Sequence, residues 1–134
     1  LRRRDALMNG CIRLDATTRK LQAYLAGAAA TTNPTVTVGF YDNTRIAKAD
    51  FSEYVGTMQY TVLAGATETD VCDAPAAGTT RNIDYICVYN TDTASVDVFI
   101  VVDDAGTNRI QAKITLATTE SAIWTPQSSW KIVT

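Results

Sequence analysis

The chain contains no histidine, and this absence excludes several classes of function. Histidine is the most common general base and metal ligand near neutral pH. Ser-His-Asp and Cys-His catalysis within the chain are therefore excluded, and zinc sites with imidazole ligands are excluded as well. The seven glycines are scattered, and none has the spacing of a phosphate-binding loop or of a dinucleotide-binding fingerprint. We expect no enzyme activity, no cofactor and no metal site.

Cysteine is also scarce, with three residues at Cys11, Cys72 and Cys87 and no C-x-x-C spacing. This pattern predicts free thiols in a reducing compartment, two of them acting as small core hydrophobes. A single disulfide with one thiol left over is the alternative. A thiol nucleophile would need an activating Lys or Arg beside it, and nothing in the sequence places one there.

Charged residues make up only 19% of the chain, with a net charge of −2 and a pI near 4.9. Nucleic acid is therefore not an expected partner. No apolar stretch approaches the roughly 20 residues of a membrane-spanning helix. The basic start lacks the apolar region of a secretory signal.

The remaining sequence consists of short β-branched and aromatic segments separated by turn residues. In the C-terminal half these segments are 82–89, 95–103, 109–116, 121–124 and 130–133. The first two are apolar at nearly every central position, which is typical of strands covered on both faces. Asn90–Asp92 is a predicted turn after the first segment, and Gly106, free to take a positive φ, is predicted to turn the chain after the second. Short turns leave no room for helices between the segments, so an antiparallel sheet is expected.

The N-terminal half has the same character, with predicted strands at 11–15, 20–26, 35–42, 58–63 and 68–73. Residues 20–26 also fit a short helix, but their length and Thr-rich context favour a strand. The stretch from Arg45 to Gly56 is irregular and is interpreted as an insertion or a single helical turn, with Asp50 as a candidate N-cap.

Together these patterns predict an all-β protein, a single antiparallel β-sandwich of jelly-roll-like type with about eight strands. We expect the sandwich to span 11–134 and to follow a basic N-terminal arm at 1–10.

Two groups of residues are candidate partner-binding sites. Arg2, Arg3 and Arg4 form a positive patch on an acidic chain, which suits an acidic partner surface unless the arm is a solvated tail. Trp124 and Trp130 frame the last turn, where they either pack in the core or contact a partner or a sugar. Tyr85 and Tyr89 alternate on one strand, and tyrosine rings in excess of what the core needs would meet a protein partner.

Carboxylates at the tip of one hairpin are a candidate site of chemistry. Asp103 and Asp104, with Asp84 and Asp97 on flanking strands, could form a glycosidase pair or a Ca²⁺ site. A solvated turn is the favoured interpretation, since the hairpin lacks the ligand pattern of an EF-hand loop.

The order of several motifs resembles a group of small virion structural proteins of tailed bacteriophages, found among head and neck components. The motifs are LDATTRKLQ at 14–22, APAAGTTR at 74–81, YICVYNTDTAS at 85–95, KITLA at 113–117 and the closing WKIV at 130–133.

This resemblance implies a capsid cement or decoration protein that binds the major capsid protein and itself, as a homodimer or homotrimer. It implies a location on the capsid surface of a virion assembled in the bacterial cytoplasm. The alternatives are a head–neck fibre adaptor, or a fibre- or tail-associated module for adhesion or carbohydrate binding that uses its tryptophans or surface tyrosines.

Overall fold

The computed structural model describes residues 12–46 and 51–134, and these residues form ten β-strands without a helix. The strands are β1 (Ile12–Leu14), β2 (Arg19–Leu25), β3 (Thr35–Ile46), β4 (Phe51–Val62), β5 (Thr69–Cys72), β6 (Thr79–Tyr89), β7 (Val96–Asp104), β8 (Thr107–Leu116), β9 (Ser121–Thr125) and β10 (Ser129–Val133). The predicted all-β sandwich is confirmed, and the segment 20–26 forms a strand as far as Leu25 rather than a helix.

The strands form two antiparallel sheets. The six-stranded sheet has the order β10-β9-β6-β3-β4, with β1 paired to β6 beyond the end of β9. The four-stranded sheet has the order β5-β2-β7-β8. Strands adjacent in sequence often lie in different sheets, as in β1–β2 and β4–β5, and these crossings join the two layers into one domain.

The core lies between the sheets and is made of the inward-facing residues of both. Along β2 these residues alternate with outward-facing ones, as expected from the two-residue period of a strand. The largest fully buried side chains are Leu14, Leu21, Leu25, Leu63, Ile86, Ile100 and Leu116, followed by five valines. Burial of about a dozen such side chains, each worth roughly 1.5–3 kcal/mol, is the main stabilising contribution.

The turn between β7 and β8 follows the predicted chemistry. Ala105 and Gly106 have φ angles of 54° and 94°, so both central residues of this tight hairpin are left-handed, as a type I′ turn requires. Glycine accepts this conformation without steric cost, whereas Ala105 does not.

One loop is attached to the sandwich by a buried carboxylate. Asp92, 1% exposed, accepts hydrogen bonds from the backbone N–H groups of Ala30, Thr31 and Thr32 at 2.8–3.1 Å and from that of Thr93 at 2.8 Å. The fully buried Asn90 supports it, since Asn90 Oδ1 accepts a hydrogen bond from the Asp92 N–H at 2.9 Å. The predicted Asn90–Asp92 turn therefore also holds the β2–β3 loop.

A second polar contact closes the sandwich near β5. The Arg81 guanidinium donates to both carboxylate oxygens of Asp42, at 2.8 and 2.9 Å, and to the Asp73 carbonyl at 2.7 Å. It also lies over the Phe40 ring, 4.2 Å from the centroid. A bidentate pair with this geometry is among the stronger side-chain interactions. Asp42 and Arg81 face each other on β3 and β6 of the six-stranded sheet, and it is the contact with Asp73 that reaches the β5 side of the sandwich.

The interpretation of 45–56 as an insertion or helical turn is wrong for the described part of that stretch. β3 continues to Ile46 and pairs with β4 in register as far as Ile46–Phe51. Asp42 and Thr44 look like turn residues in the sequence, but Asp42 is bound by Arg81 and Thr44 Oγ1 lies 3.1 Å from Thr79 Oγ1. Tertiary pairing therefore overrides the local turn signal. Asp50 and the arm at 1–10 lie outside the described residues.

We predict that Asp92→Asn lowers the thermal midpoint of unfolding by at least about 5 °C near neutral pH. The asparagine amide has an NH₂ donor where the carboxylate has its second acceptor oxygen, and this donor would face backbone N–H groups that need an acceptor. Burial alone would raise the pKa of Asp92, but the four backbone N–H groups lower it well below its ordinary value. The carboxylate therefore stabilises the fold at neutral pH, and this stabilisation is lost as the pH falls through that depressed pKa. Thermal unfolding should show the difference between wild type and variant shrinking in acid.

Asp97→Asn is the matched control for this prediction. Its carboxylate accepts a hydrogen bond from the Thr115 hydroxyl at 2.7 Å on an exposed part of the four-stranded sheet. This change should shift the midpoint by no more than about 2 °C. An equal loss in both variants would contradict the anchoring role of Asp92.

Candidate functional site

The tryptophans predicted as tentative partner contacts belong mainly to the core. Trp124 is 4% exposed and packs in the hydrophobic cluster, so its ring does not reach a partner, and that prediction is corrected. Trp130 lies opposite Trp124 across the β9–β10 pair and is partly buried against the same cluster. Large rings fill the gap between the layers at this end of the sandwich. Arg2, Arg3 and Arg4 lie outside the described residues.

The carboxylates weighed for catalysis or Ca²⁺ binding do not converge. Asp103 and Asp104 are neighbours on β7 and therefore point to opposite faces of the sheet. Asp104 is bound by Arg19 and Thr18, and the hydrogen bond from Arg19 lowers the pKa of Asp104. Asp84 belongs to the six-stranded sheet, whereas Asp97 lies with the hairpin in the other sheet. This arrangement fits neither a glycosidase pair nor a Ca²⁺ loop.

The thiols are equally poor candidates for chemistry. Cys72 is fully buried, and this burial raises its pKa to about 12 despite the nearby Arg81. Cys87 is partly exposed and unpaired.

Within 12–46 and 51–134 no cluster of three or more Cys, Asp or Glu residues could hold a metal ion, and no helix could cross a membrane.

The most unusual surface of the described chain is the outer face of the six-stranded sheet. The strand registers place the following side chains side by side on this face: Met58, Tyr60 and Val62 from β4, Thr35 and Thr37 from β3, Tyr85, Cys87 and Tyr89 from β6, Ser121 and Ile123 from β9, and Val133 from β10. We call this set the tyrosine face. Tyr60, Met58 and Val62 are 66%, 61% and 53% exposed, so large apolar groups meet solvent there.

Charge is confined to the margins of the tyrosine face. Lys131 lies on the edge strand β10, and Asp84 lies at a bulge in β6 where the pairing with β3 shifts after Gly39. A Cβ atom at Gly39 would lie 3.2 Å from both Asp84 Oδ1 and Tyr85 Cβ. The glycine therefore lets these two side chains lie over β3.

The outer face of the four-stranded sheet is different, because several of its charged and aromatic groups contact one another. Lys20 forms an ion pair with Asp70 at 3.1 Å. Tyr24 stacks on Phe99 with ring centroids 5.1 Å apart, and Lys113 lies over the same Phe99 ring at 5.9 Å. Such a face is typical of a surface that remains in water.

A groove at one end of the tyrosine face contains a polar group without a partner. Ile12, Tyr41, Asn82, Asp84 and Gln127 are among its lining residues. The buried Asn82 Nδ2 has no hydrogen-bond acceptor within the described part of the chain. Buried donors in native proteins are nearly always paired, so an acceptor from solvent or from a bound partner would complete this one.

Sequence reasoning identified part of this face and missed the rest. The alternation of Tyr85 and Tyr89 on one strand is visible in the sequence, and it supports the prediction that surplus tyrosine rings contact a protein partner. The prediction that β6 is covered on both faces is wrong for the described chain, since Tyr89 is 39% exposed. The contribution of β4 was missed because alternation does not say which set points inward. Gln59 and Thr61 face inward, where they bind the Asp73 N–H and the Asp70 carbonyl of the β5 region at 3.0 and 3.5 Å.

Comparison with known proteins found no matching family model, no matching curated protein and no matching solved structure. The resemblance to phage virion proteins therefore remains a hypothesis drawn from the order of motifs.

We predict that native Cys72 resists alkylation by iodoacetamide at about pH 8, while Cys87 on the tyrosine face reacts. A thiol whose pKa is raised to about 12 carries almost no thiolate at that pH. The test is peptide mapping by mass spectrometry in a Cys11→Ser background, with and without urea. Modification of Cys72 in the native protein as fast as that of Cys87 would contradict the described burial.

Proposed function

We propose that this chain is a structural protein of a tailed-bacteriophage virion, a cement or decoration protein that binds and stabilises the major capsid protein shell. The observation that supports this role is the tyrosine face, an open, nearly uncharged sheet surface that the described part of the chain leaves uncovered. A large exposed apolar face on a small soluble domain marks an interaction surface. Aromatic residues and Met are enriched, and charges depleted, at the centres of protein interfaces.

The size of the face suits a contact that is repeated many times. Five strands about 4.8 Å apart, with about five residues each at 3.4 Å, span roughly 24 by 17 Å. That is about half of the 800 Å² or so that each partner buries in a standard interface. One such contact is weak on its own, but a shell presents the same site in many symmetric copies, and linked contacts add strength.

The sequence resemblance supplies the identity of the partner. It points to the capsid surface as the location and to the major capsid protein as the binding partner, with self-association as a second contact. A cement protein binds without catalysis, so the role needs neither a reactive thiol nor converging carboxylates. The uncovered tyrosine face and the opposite face, where several charged and aromatic groups contact one another, give such a protein one side toward the shell and one toward water.

The first prediction of this proposal concerns copy number. Quantitative mass spectrometry of purified virions of the phage that encodes the chain should find it at a level comparable to that of the major capsid protein. A copy number of a few per particle would instead indicate the head–neck or fibre location. Absence from the virion would overturn the proposal.

The second prediction identifies the surface that binds. Tyr89→Lys places a charge at the tyrosine face, and desolvating that charge should weaken binding to shells that lack the protein by at least about tenfold. Co-sedimentation with such shells measures this, and alkylation of Cys87 should slow on bound protein.

Ile110→Lys is the matched control, because Ile110 is 59% exposed on the opposite sheet. Its binding should stay within about twofold of wild type. Weakening by Ile110→Lys but not by Tyr89→Lys would assign the contact to the other face. A glycan array should show no sugar binding by the isolated protein, and specific binding there would favour the adhesion alternative.

A further inference from the structure

β4 forms one edge of the six-stranded sheet along its whole length. It pairs with β3 over twelve consecutive positions, from Thr35–Val62 to Ile46–Phe51, and with no other strand in the described part of the chain. Its neighbour in space, β5, belongs to the other sheet and is reached by the side chains of Gln59 and Thr61. One row of β4 backbone groups is therefore directed away from β3.

The hydrogen-bonding pattern identifies that row. The Leu63 N–H donates to the Pro34 carbonyl at 2.9 Å, which makes Leu63 and Pro34 a hydrogen-bonded pair. In an antiparallel ladder, bonded and non-bonded pairs alternate. The N–H and C=O groups of Met58, Tyr60 and Val62 therefore point to the free edge, and these three residues carry the exposed side chains described above.

The Met58–Val62 part of this edge lacks the features that usually protect a free strand. Natural edge strands are blocked by Lys, Pro, a bulge or a short length. β4 has twelve residues, contains neither Lys nor Pro, and pairs with β3 without a register shift. Its exposed side chains are Met, Tyr and Val, of which Tyr and Val favour strands. The edge is therefore suited to receive another strand.

We propose that the added strand is β4 of a second copy of this chain, paired antiparallel about a two-fold axis at Tyr60. In this register Tyr60 faces the partner's Tyr60, and Met58 faces the partner's Val62. All three residues of the free row are then in bonded pairs, so each of their N–H and C=O groups obtains a partner. Gln59 falls opposite the partner's Thr61 on the inner side.

The charge pattern favours a second copy over a foreign strand. A two-fold axis brings the residues at the axis close to their own copies, so a charge there would meet a like charge. Residues 54–67 contain no charged side chain, and this neutral segment brackets Tyr60 on both sides. Neutral self-pairing therefore carries no electrostatic penalty, while the exposed rings and methyl groups gain cross-strand neighbours.

The pairing does not depend on the proposed capsid role. It uses the edge of the sheet, whereas shell binding uses its face. The test is analytical ultracentrifugation of the full chain, which should sediment as a dimer at micromolar concentration. Tyr60→Lys should weaken dimerisation by at least about 100-fold, because two ammonium groups would meet at the axis.

Ile110→Lys serves as the control, since it introduces the same ammonium group at a similarly exposed apolar site on the other sheet. It should remain a dimer, and circular dichroism should show both variants folded. A monomeric wild type at about 100 μM would overturn the proposal. Persistence of the dimer in Tyr60→Lys, or its loss in Ile110→Lys, would also overturn the proposal, because the contact between the two copies would then lie elsewhere.

Mixing opposite charges distinguishes self-pairing at Tyr60 from a general effect of charge. An equimolar mixture of Tyr60→Lys and Tyr60→Glu chains should form a heterodimer, although each variant alone is monomeric. This rescue is expected only where residue 60 faces residue 60 of the partner. Failure of the mixture to dimerise would overturn the two-fold register.

Discussion

The constraint that shapes this molecule is that two sheets share only one interior. A strand has two faces, and a two-layer sandwich of this size covers one of them. β6 is apolar on both, with Ile86 and Val88 fully buried on one side and Tyr85, Cys87 and Tyr89 on the other. The second set cannot be buried by the described chain without a third layer. The exposed tyrosine face follows directly from this imbalance.

Polar contacts hold the two layers in the relation that creates this face. Asp92 accepts hydrogen bonds from backbone N–H groups of the β2–β3 loop, and Arg81, held by Asp42 within the six-stranded sheet, donates to the Asp73 carbonyl beside β5. Both contacts lie at the ends of the sandwich and leave the outer sheet surface untouched. Hydrogen bonds thus fix the loops and the ends, while apolar burial supplies the attraction between the sheets.

The fold could be predicted from local patterns because most strands end in recognisable turns. The Asn90–Asp92 and Ala105–Gly106 turns illustrate this, although their long-range partners were not visible in the sequence. The extension of β3 to Ile46 was missed because Asp42 mimics a turn residue until Arg81 binds it. The orientation of β4 was missed for a related reason. Alternation predicts two faces, but only the position of a strand in the sheet decides which face is inward.

Face and edge meet along β4, and this gives the two proposed contacts a physical relation. Pairing at Tyr60 would join two tyrosine faces into one continuous surface of ten strands, with the exposed residues of β4 at its centre. A single face is about half the size of a standard interface, whereas a doubled face approaches it. Once one half of such a dimer is bound, the other half is held beside the surface at high effective concentration. Dimerisation at the edge would thereby strengthen binding by the face without adding any new contact to the partner.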